Sequence, residues 1–533
     1  MPERPLPLWA AVIASAVAGP VLALAFPGVG WWPLAFVGIA FALVSLIGRS
    51  AWGAFLVGCV FGASFYLTHI EWITRYLGVI PWFALSALQT LYMGLGSILI
   101  ALAYRWMPRV LPSRWVQLTL LPLLVGGLWA MRELVMGSFP YGGFPWGRIG
   151  MSQSESPLSH VVSWTGVTGL TFLMVVFCAA VIEWLRAVRW RDARRAAVTA
   201  IPSVGLAVLL LATPLFPTTD AGPYTVGAVQ GNGPTGYFDV RTRNAVLNAQ
   251  LAATAPLYGK HMDVLLWPEG SMDSDPTHDP STAAALDTVV RKVGAPLLAN
   301  AATQRSNEFF NTSFLWEQGS GLTQTYDKQH PVVFGEYVPD RWLYSALVPD
   351  LIGLLQRDYT PGTQPPYMDV NGVGVGLAIC FDVVYDDVIW TGARDGAEVY
   401  MFQTNNADFR GTDENLQQLA FARMRAIETG RSVVNLSTVG TSQVIAPDGT
   451  EIDGLPESEA GAMLTTLPLR TGLTPAVVLG PWIQAFLAWG SIAAIVVLGV
   501  VVFVGRRRAR SSAERTRTAP ESGDSDAAVM ASS

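Results

Sequence analysis

The stretch GVGVGLAICFDVVYDD, Gly372 to Asp387, decides how the rest of the chain is read. Its alternating Gly, Val, Leu and Ile residues have the composition of a buried strand, and Cys380 falls where that run ends and polar residues begin. A thiol at the C-terminal end of a strand, with Phe381 and Asp382 opening the next loop, is placed to face a cleft. The common alternative for a free cysteine is a small buried apolar residue, so its surroundings must decide.

At 533 residues, 51% hydrophobic and only 14% charged, the chain is too apolar for an ordinary soluble enzyme. Nineteen Trp residues fit a protein that lives at a membrane interface. A net charge of −6 without a basic, aromatic-interleaved stripe excludes nucleic acid as a partner. Three cysteines with no metal-ligand spacing predict no structural metal, no cofactor and no disulfide framework.

Residues 7–26, 31–48, 51–68, 83–104, 116–136, 162–185, 197–215 and 482–504 are long apolar runs near the ~20 residues that cross a bilayer. They predict eight transmembrane helices: seven in a domain at 1–215 and one at 482–504. The first run is followed within five residues by another, so it reads as a retained helix, not a signal peptide. Arginines collect in every second connection: Arg49, then Arg105, Arg109 and Arg114, then Arg186, Arg189, Arg191, Arg194 and Arg195, then Arg506, Arg507, Arg508 and Arg510. The positive-inside rule makes that side the cytoplasm, with both termini there, and puts 216–481 outside the cytoplasmic membrane. Residues 505–533 form a basic tail with few large apolar side chains, expected to be disordered. On the outer side, the loop 137–150 (GSFPYGGFPWGRIG) is crowded with aromatics and reads as a belt at headgroup level. Arg132 and Glu133 at the end of the fifth run are intramembrane charges, candidates for function or for a simple pair.

From Pro223 onward, short apolar strands alternate with helical segments, as an α/β domain with covered sheet faces requires. Two further strand ends in it carry charge. Glu269 follows the strand DVLLW, and Lys328 follows LTQTY. Cys59 and Cys178 lie inside apolar runs, so Cys380 is a lone thiol in a compartment that oxidises thiols, which favours a reactive role. With Glu269 to take the thiol proton and Lys328 to stabilise thiolate and oxyanion, the three have chemical sense as a set. The backbone N–H of Phe381 is a natural second oxyanion donor. A rival pairing of Cys380 with His330 lacks an assignable orienting group.

Glu269 in WPEG, Lys328 in YDKQH and Cys380 in AICFD resemble the Glu–Lys–Cys triad of the nitrilase, or carbon–nitrogen hydrolase, superfamily. With seven spans before that domain and one after, the chain is similar to the apolipoprotein N-acyltransferase family. VQGN (229–232), FGEYVP (334–339), NNA (405–407) and ARMRAIETGR (422–431) extend the likeness over nearly the whole chain. The resemblance implies an α-β-β-α sandwich at 216–481, with Glu269 as base, Lys328 as oxyanion stabiliser and Cys380 as nucleophile. Glu336 in FGEYVP matches a second glutamate of the family that holds the lysine or assists proton transfer. Phe381 and Asp382 stand where the family's best-known members have Tyr and Glu. A tryptophan expected after VQGN is absent, with Tyr237, Phe238 and Asp239 in that neighbourhood.

The implied activity is acyl transfer through a thioester on Cys380, from a membrane phospholipid donor to the N-terminal diacylglyceryl-cysteine of an apolipoprotein. A membrane-anchored amidase or nitrilase using the same triad, and a lipid- or lipoprotein-binding scaffold, are the alternatives. Residues 337–359 carry too many apolar side chains for a solvated loop and read as a lid touching lipid. Trp342 and Leu351 in it, and Trp146 in the outer loop, are candidates for contact with substrate.

Overall fold

The computed structural model describes residues 4–188, 192–355 and 357–518. Arg189 and Arg191 of the basic connection, and the last part of the expected tail, lie outside the described residues. Among the described residues, six helices are long and apolar enough to cross a membrane: Ala51–His69, Val79–Val110, Arg114–Met136, Pro157–Ala187, Ala193–Ala212 and Pro475–Ser511. The first two expected spans are shorter, Leu8–Ala23 and Leu34–Leu46. At about 1.5 Å per residue, the second covers only ~20 Å. The two form a hairpin: Arg49 reaches back to the carbonyl of Leu6 at 2.6 Å, and Arg4 to that of Gly48 at 3.2 Å. Small residues let the helices close up. A Cβ on Gly19 would stand 2.2 Å from Ser64 Oγ, and one on Gly58 2.3 Å from Ser97 Oγ. The final helix does not stop at Val504, the end of the expected span. It continues to Thr518, so the first part of the region expected to be disordered is helical.

Twelve strands build the α/β domain: β1 (Thr219–Gln230), β2 (Val264–Leu266), β3 (Leu297–Arg305), β4 (Glu308–Glu317), β5 (Gly321–Asp327), β6 (Tyr367–Val370), β7 (Val373–Ile379), β8 (Val399–Thr404), β9 (Ser432–Ser437), β10 (Ser442–Ile445), β11 (Glu451–Leu455) and β12 (Gly461–Thr471). They form two six-stranded sheets, ordered β12-β1-β2-β3-β4-β5 and β11-β10-β9-β8-β7-β6. β1, β2 and β3 run parallel, as do β7, β8 and β9; the outer strands pair antiparallel. Val226, Leu266 and Leu298 of the first sheet pack in one core with Leu377, Met401 and Val434 of the second, so the sheets lie face to face.

Helices cover both outer faces. On the first sheet, Pro280–Val293 is bounded by local chemistry: the Asp279 side chain accepts from Ser281 N–H, proline takes the first turn, and Gly294 follows at φ 74°. Its stripe of Thr282, Leu286, Val289, Val290 and Val293 is buried against Leu265, Trp267 and Leu297. On the second sheet, Asp386–Arg394 and Glu414–Thr429 are covered in turn by the membrane bundle. Ala378, Tyr400 and Phe402 share one apolar core with Val167 and Leu170 of the helix Pro157–Ala187. The sandwich therefore rests on the bundle through its second helical layer, and the C-terminal ends of β7 and β8 come close to the loop 137–150.

That joint is also ionic. Asp386 accepts from Arg148 of the loop 137–150 at 2.7 and 2.9 Å and from Gln484 of the helix Pro475–Ser511 at 2.5 Å, and Arg425 lies 2.7 Å away. Burial opposes the Asp386 charge, yet Arg148 and Arg425 outweigh it and hold the carboxyl far below its ordinary range.

Candidate active site

Cys380 begins the turn that leaves β7, and its backbone is left-handed, φ 47°. That region costs a residue with a Cβ about 1 kcal/mol or more, a strain typical of functional turns. The clamp that holds it is Asp382. Its carboxylate, fully buried, accepts from Ile379 N–H at 3.3 Å, His330 N–H at 2.9 Å and the Tyr326 hydroxyl at 2.8 Å. One side chain thus ties the turn to the end of β5 and to the segment that carries Lys328.

Glu269 lies three residues past β2 and Lys328 directly after β5, so the structure brings both to the rim where β7 ends. Lys328 is 1% exposed, and its Nζ stands 2.8 Å from Glu336 Oε2 and 3.5 Å from Glu269 Oε1. Asn311 of β4 donates from one Nδ2 to Glu269 Oε1 at 2.7 Å and to Glu336 Oε1 at 2.9 Å. Asn300 of β3 donates to Asn311 Oδ1 at 2.9 Å and accepts from Gly270 N–H at 2.8 Å. Thr438, beyond β9, donates to the Glu269 carbonyl at 2.8 Å. Asn300, Asn311 and Thr438 were not anticipated from the sequence. The available signal was an asparagine inside each of two strands, a residue type strands disfavour unless it has polar work there.

Electrostatics give the set a direction. Burial alone would lower the Lys328 pKa, but Glu336 and then Glu269 outweigh it and hold the ammonium well above its usual value. Burial raises the Glu269 pKa and Glu336 adds to the rise, while Lys328 and Asn311 oppose it. The half-buried Cys380 thiol is pushed far up, by burial first and by Glu269 second, against the pull of Lys328. Burial and Glu269 thus favour the thiol form of Cys380 over the thiolate, with Lys328 pulling the other way.

His330 is occupied elsewhere: its ring stacks on Tyr385 at 3.7 Å and its Nε2 lies 3.7 Å from Asp387. Phe381 stacks on Trp146 at 6.2 Å and on Phe144 at 6.0 Å between ring centroids. Trp146 is buried, with its indole N–H donating to Gln417 at 2.7 Å. It belongs to an aromatic wall beside the thiol turn, not to a headgroup belt. Arg132 and Glu133 form a buried pair at 3.5 Å, with Glu133 also accepting from the Trp129 indole at 3.1 Å.

The segment after Glu336 folds as two short helices, Arg341–Leu347 and Pro349–Leu354. Ile352 and Leu355 are buried against Val338, Leu351 is half-buried, and Trp342 is 76% exposed with Leu347 beside it at 65%. The segment is tied to the bundle's loops, as Tyr141 donates to Asp340 at 2.7 Å and Tyr76 to the Gly335 carbonyl at 3.3 Å. Tyr237, near the position of the missing tryptophan, donates to the Leu354 carbonyl.

Known proteins share both halves of this arrangement. Residues 18–180 match the family described as Apolipoprotein N-acyltransferase N-terminal domain, and residues 225–472 match Carbon-nitrogen hydrolase. The Apolipoprotein N-acyltransferase of Mycolicibacterium smegmatis is 31% identical over 97% of this chain and 89% of its own length. That of Azotobacter vinelandii is 28% identical over 95% and 97%, and that of Vibrio vulnificus 25% over 88% and 93%. With both domains matched in order, and a relative this similar along nearly the full length, the chain belongs to the apolipoprotein N-acyltransferase family.

Proposed function

We propose that the protein moves an acyl chain from a membrane phospholipid to the α-amine of the N-terminal S-diacylglyceryl-cysteine of an apolipoprotein, in two steps through a thioester on Cys380. The observation that carries this reading is the convergence of Glu269, Lys328 and the Cys380 turn on one buried rim, held by Asn311 and Asp382. In the first step Glu269 takes the thiol proton as sulfur attacks the donor's ester carbonyl. Lys328 and the Phe381 N–H stabilise the oxyanion, and Glu269 returns the proton to the departing lysophospholipid. In the second step the acceptor amine attacks the thioester and frees the thiol. Glu336 holds Lys328 in place. No metal or cofactor is required by these steps.

Placement of the α/β domain on the extracytoplasmic face of the cell membrane, with both termini cytoplasmic, follows from the arginine distribution. The short first hairpin supports the same parity. Its base lies beside Arg49, and Phe26 near its tip packs at 4.2 Å on His69, so it reaches both ends of the helix Ala51–His69. A helical pair that enters and returns leaves the side of every later segment unchanged. The exposed Trp342 and Leu347 fit a lid dipping into lipid, with Trp146 and Leu351 nearer the acyl path.

Purified protein in phospholipid vesicles, assayed for lysophospholipid with and without a diacylated lipopeptide, tests the reading. Stoichiometric release alone and sustained release with the lipopeptide are expected. Hydrolysis of soluble amides without lysophospholipid would mean an anchored amidase, and no turnover of either would mean a binding scaffold.

A further inference from the structure

The steps above give the thiol a proton acceptor but give none to the amine that must discharge the thioester. An α-ammonium has a pKa of roughly 8, so at neutral pH most of the acceptor arrives protonated and cannot attack. One carboxyl on the same rim is left unused by the first step. Glu414 is the first residue of the helix Glu414–Thr429 and is 3% exposed.

Strand register places it. Ile379 of β7 pairs with Gln403 of β8, and Thr404 of β8 pairs with Ser437 of β9. Cys380, Asn405–Asn406 and Thr438 therefore leave the sheet side by side, on strands about 4.8 Å apart. Asn406 Nδ2 donates to Glu414 Oε2 at 2.7 Å and to Gln418 Oε1 at 2.6 Å, and its Oδ1 accepts from Ser437 Oγ at 2.7 Å. The Thr438 hydroxyl, next along β9, holds the Glu269 carbonyl. One polar chain thus carries Glu414, Asn406, Ser437, Thr438 and Glu269.

The other Glu414 oxygen, Oε1, accepts no hydrogen bond among the described residues, and it is not sealed among the buried unpartnered atoms. The ionisable groups whose charge Glu414 feels or affects are Glu269, Glu457 and Cys380, with no cation among them. A nearly buried carboxyl with one oxygen unbonded among the described residues, on which only acidic groups act electrostatically, is a place for an ammonium.

We propose that Glu414 receives the proton of the acceptor's α-ammonium in the second half-reaction. The assignment rests on the thioester reading of the first. The ammonium gives one proton to the Glu414 carboxylate, and the freed nitrogen lone pair attacks the thioester carbonyl. The C–N bond forms and the C–S bond breaks. The second amine proton passes to Glu269 and on to the Cys380 sulfur, and Glu414 returns its proton to water. Burial lifts the Glu414 carboxyl to about 8 against the pull of Asn406, with Glu269 and Glu457 adding to the rise. At pH 7 such a carboxyl is largely neutral, so it is the docked ammonium beside it that favours the carboxylate form, and donor and acceptor of the proton are then nearly matched.

The test separates the two half-reactions. Cys380 is loaded with acyl from donor lipid, the donor is removed, and discharge is followed by intact mass. Two nucleophiles are compared at pH 7: a diacylated lipopeptide, whose amine is mostly protonated, and hydroxylamine, which is already mostly unprotonated. Glu414→Gln should form the thioester no slower than the native chain, since its charge only opposes the thiolate, and discharge to hydroxylamine at the native rate. It should discharge to lipopeptide slower by something like 10²-fold or more, recovering as pH rises past the amine's own pKa. Native-rate discharge to lipopeptide, or equal slowing with both nucleophiles, would overturn the assignment while leaving the thioester in place. Absence of an adduct on the native chain would overturn both. If the glutamine disturbs folding, Glu414→Asp carries the same comparison: selective slowing with lipopeptide supports a base, and equal slowing rejects it.

Discussion

Lys328 lies 2.8 Å from Glu336 and 3.5 Å from Glu269, so the glutamate outside the expected triad is the one that anchors the ammonium. This leaves Glu269 less tightly paired than a two-residue ion bridge would, and free to act as a base.

Replacing Glu336 with Gln therefore leaves Glu269 as the one ion-pair partner of a buried lysine among the described residues, with Asp382 acting from farther off. Glu336 is also one cause of the raised Glu269 pKa, so its loss lowers that pKa. Thioester formation should fall by roughly tenfold or more, and the acid limb of its pH profile should move to lower pH. An unmoved acid limb would mean that Glu336 only packs.

Asp386 joins the sandwich to the bundle, and Asp386→Asn leaves buried Arg148 without its ion-pair partner, while Arg425 keeps Glu428 at 2.5 Å. Losing one partner of such a pair costs about 3–5 kcal/mol. The folded-state pKa is depressed, so this stability is fully present above the unfolded carboxylate value of about 4. It is lost as pH falls through the folded value. Melting curves of native and variant protein in detergent should differ most at neutral pH and converge on acidification. A constant gap at all pH values would contradict the ionic account.

In the segment after Glu336, Trp342 and Leu347 face outward, whereas Ile352 and Leu355 are packed inside. Trp342→Ser with Leu347→Ser should slow turnover of a phospholipid donor and spare a short-chain soluble ester, without changing the melting temperature. Ile352→Ser and Leu355→Ser should lower stability and slow both donors. Equal loss on both donors from the outward pair would make the segment structural.

Topology is open to a direct check with single cysteines at Lys260 and Arg510, both exposed in the structure. A membrane-impermeant thiol reagent on intact cells should label the first and reach the second only after lysis. The reverse pattern would invert the orientation.

The length of apolar runs was enough to mark the apolar helices, and a charge just past a strand was enough to single out Glu269 and Lys328 as candidates beside Cys380, because each is a local pattern. What escaped was long-range. Asn311 and Asn300 matter only because β3 and β4 pair next to β2, and Glu414 only because β8 lies beside β7. β12 returns over 200 residues later to flank β1. Trp146 reads as an interfacial aromatic until the thiol turn is seen packed on it through Phe381. Composition alone cannot tell a belt from a domain joint. The tail's charge suggested disorder, but a helix already running in the last span continues more cheaply than it starts, since nucleation is the costly step.

The central claim is the covalent intermediate, and intact-mass spectrometry after incubation with donor phospholipid alone addresses it most directly. The native chain should gain one acyl group on Cys380, removable by neutral hydroxylamine and lost on adding diacylated lipopeptide. Cys380→Ser should gain none. Glu269→Gln and Lys328→Met should acylate slower, by about 10²-fold for the lost oxyanion donor. Cys59→Ser and Cys178→Ser should behave as native. An enzyme that transfers acyl chains at full rate yet never carries one on Cys380, with acceptor withheld, would contradict the account.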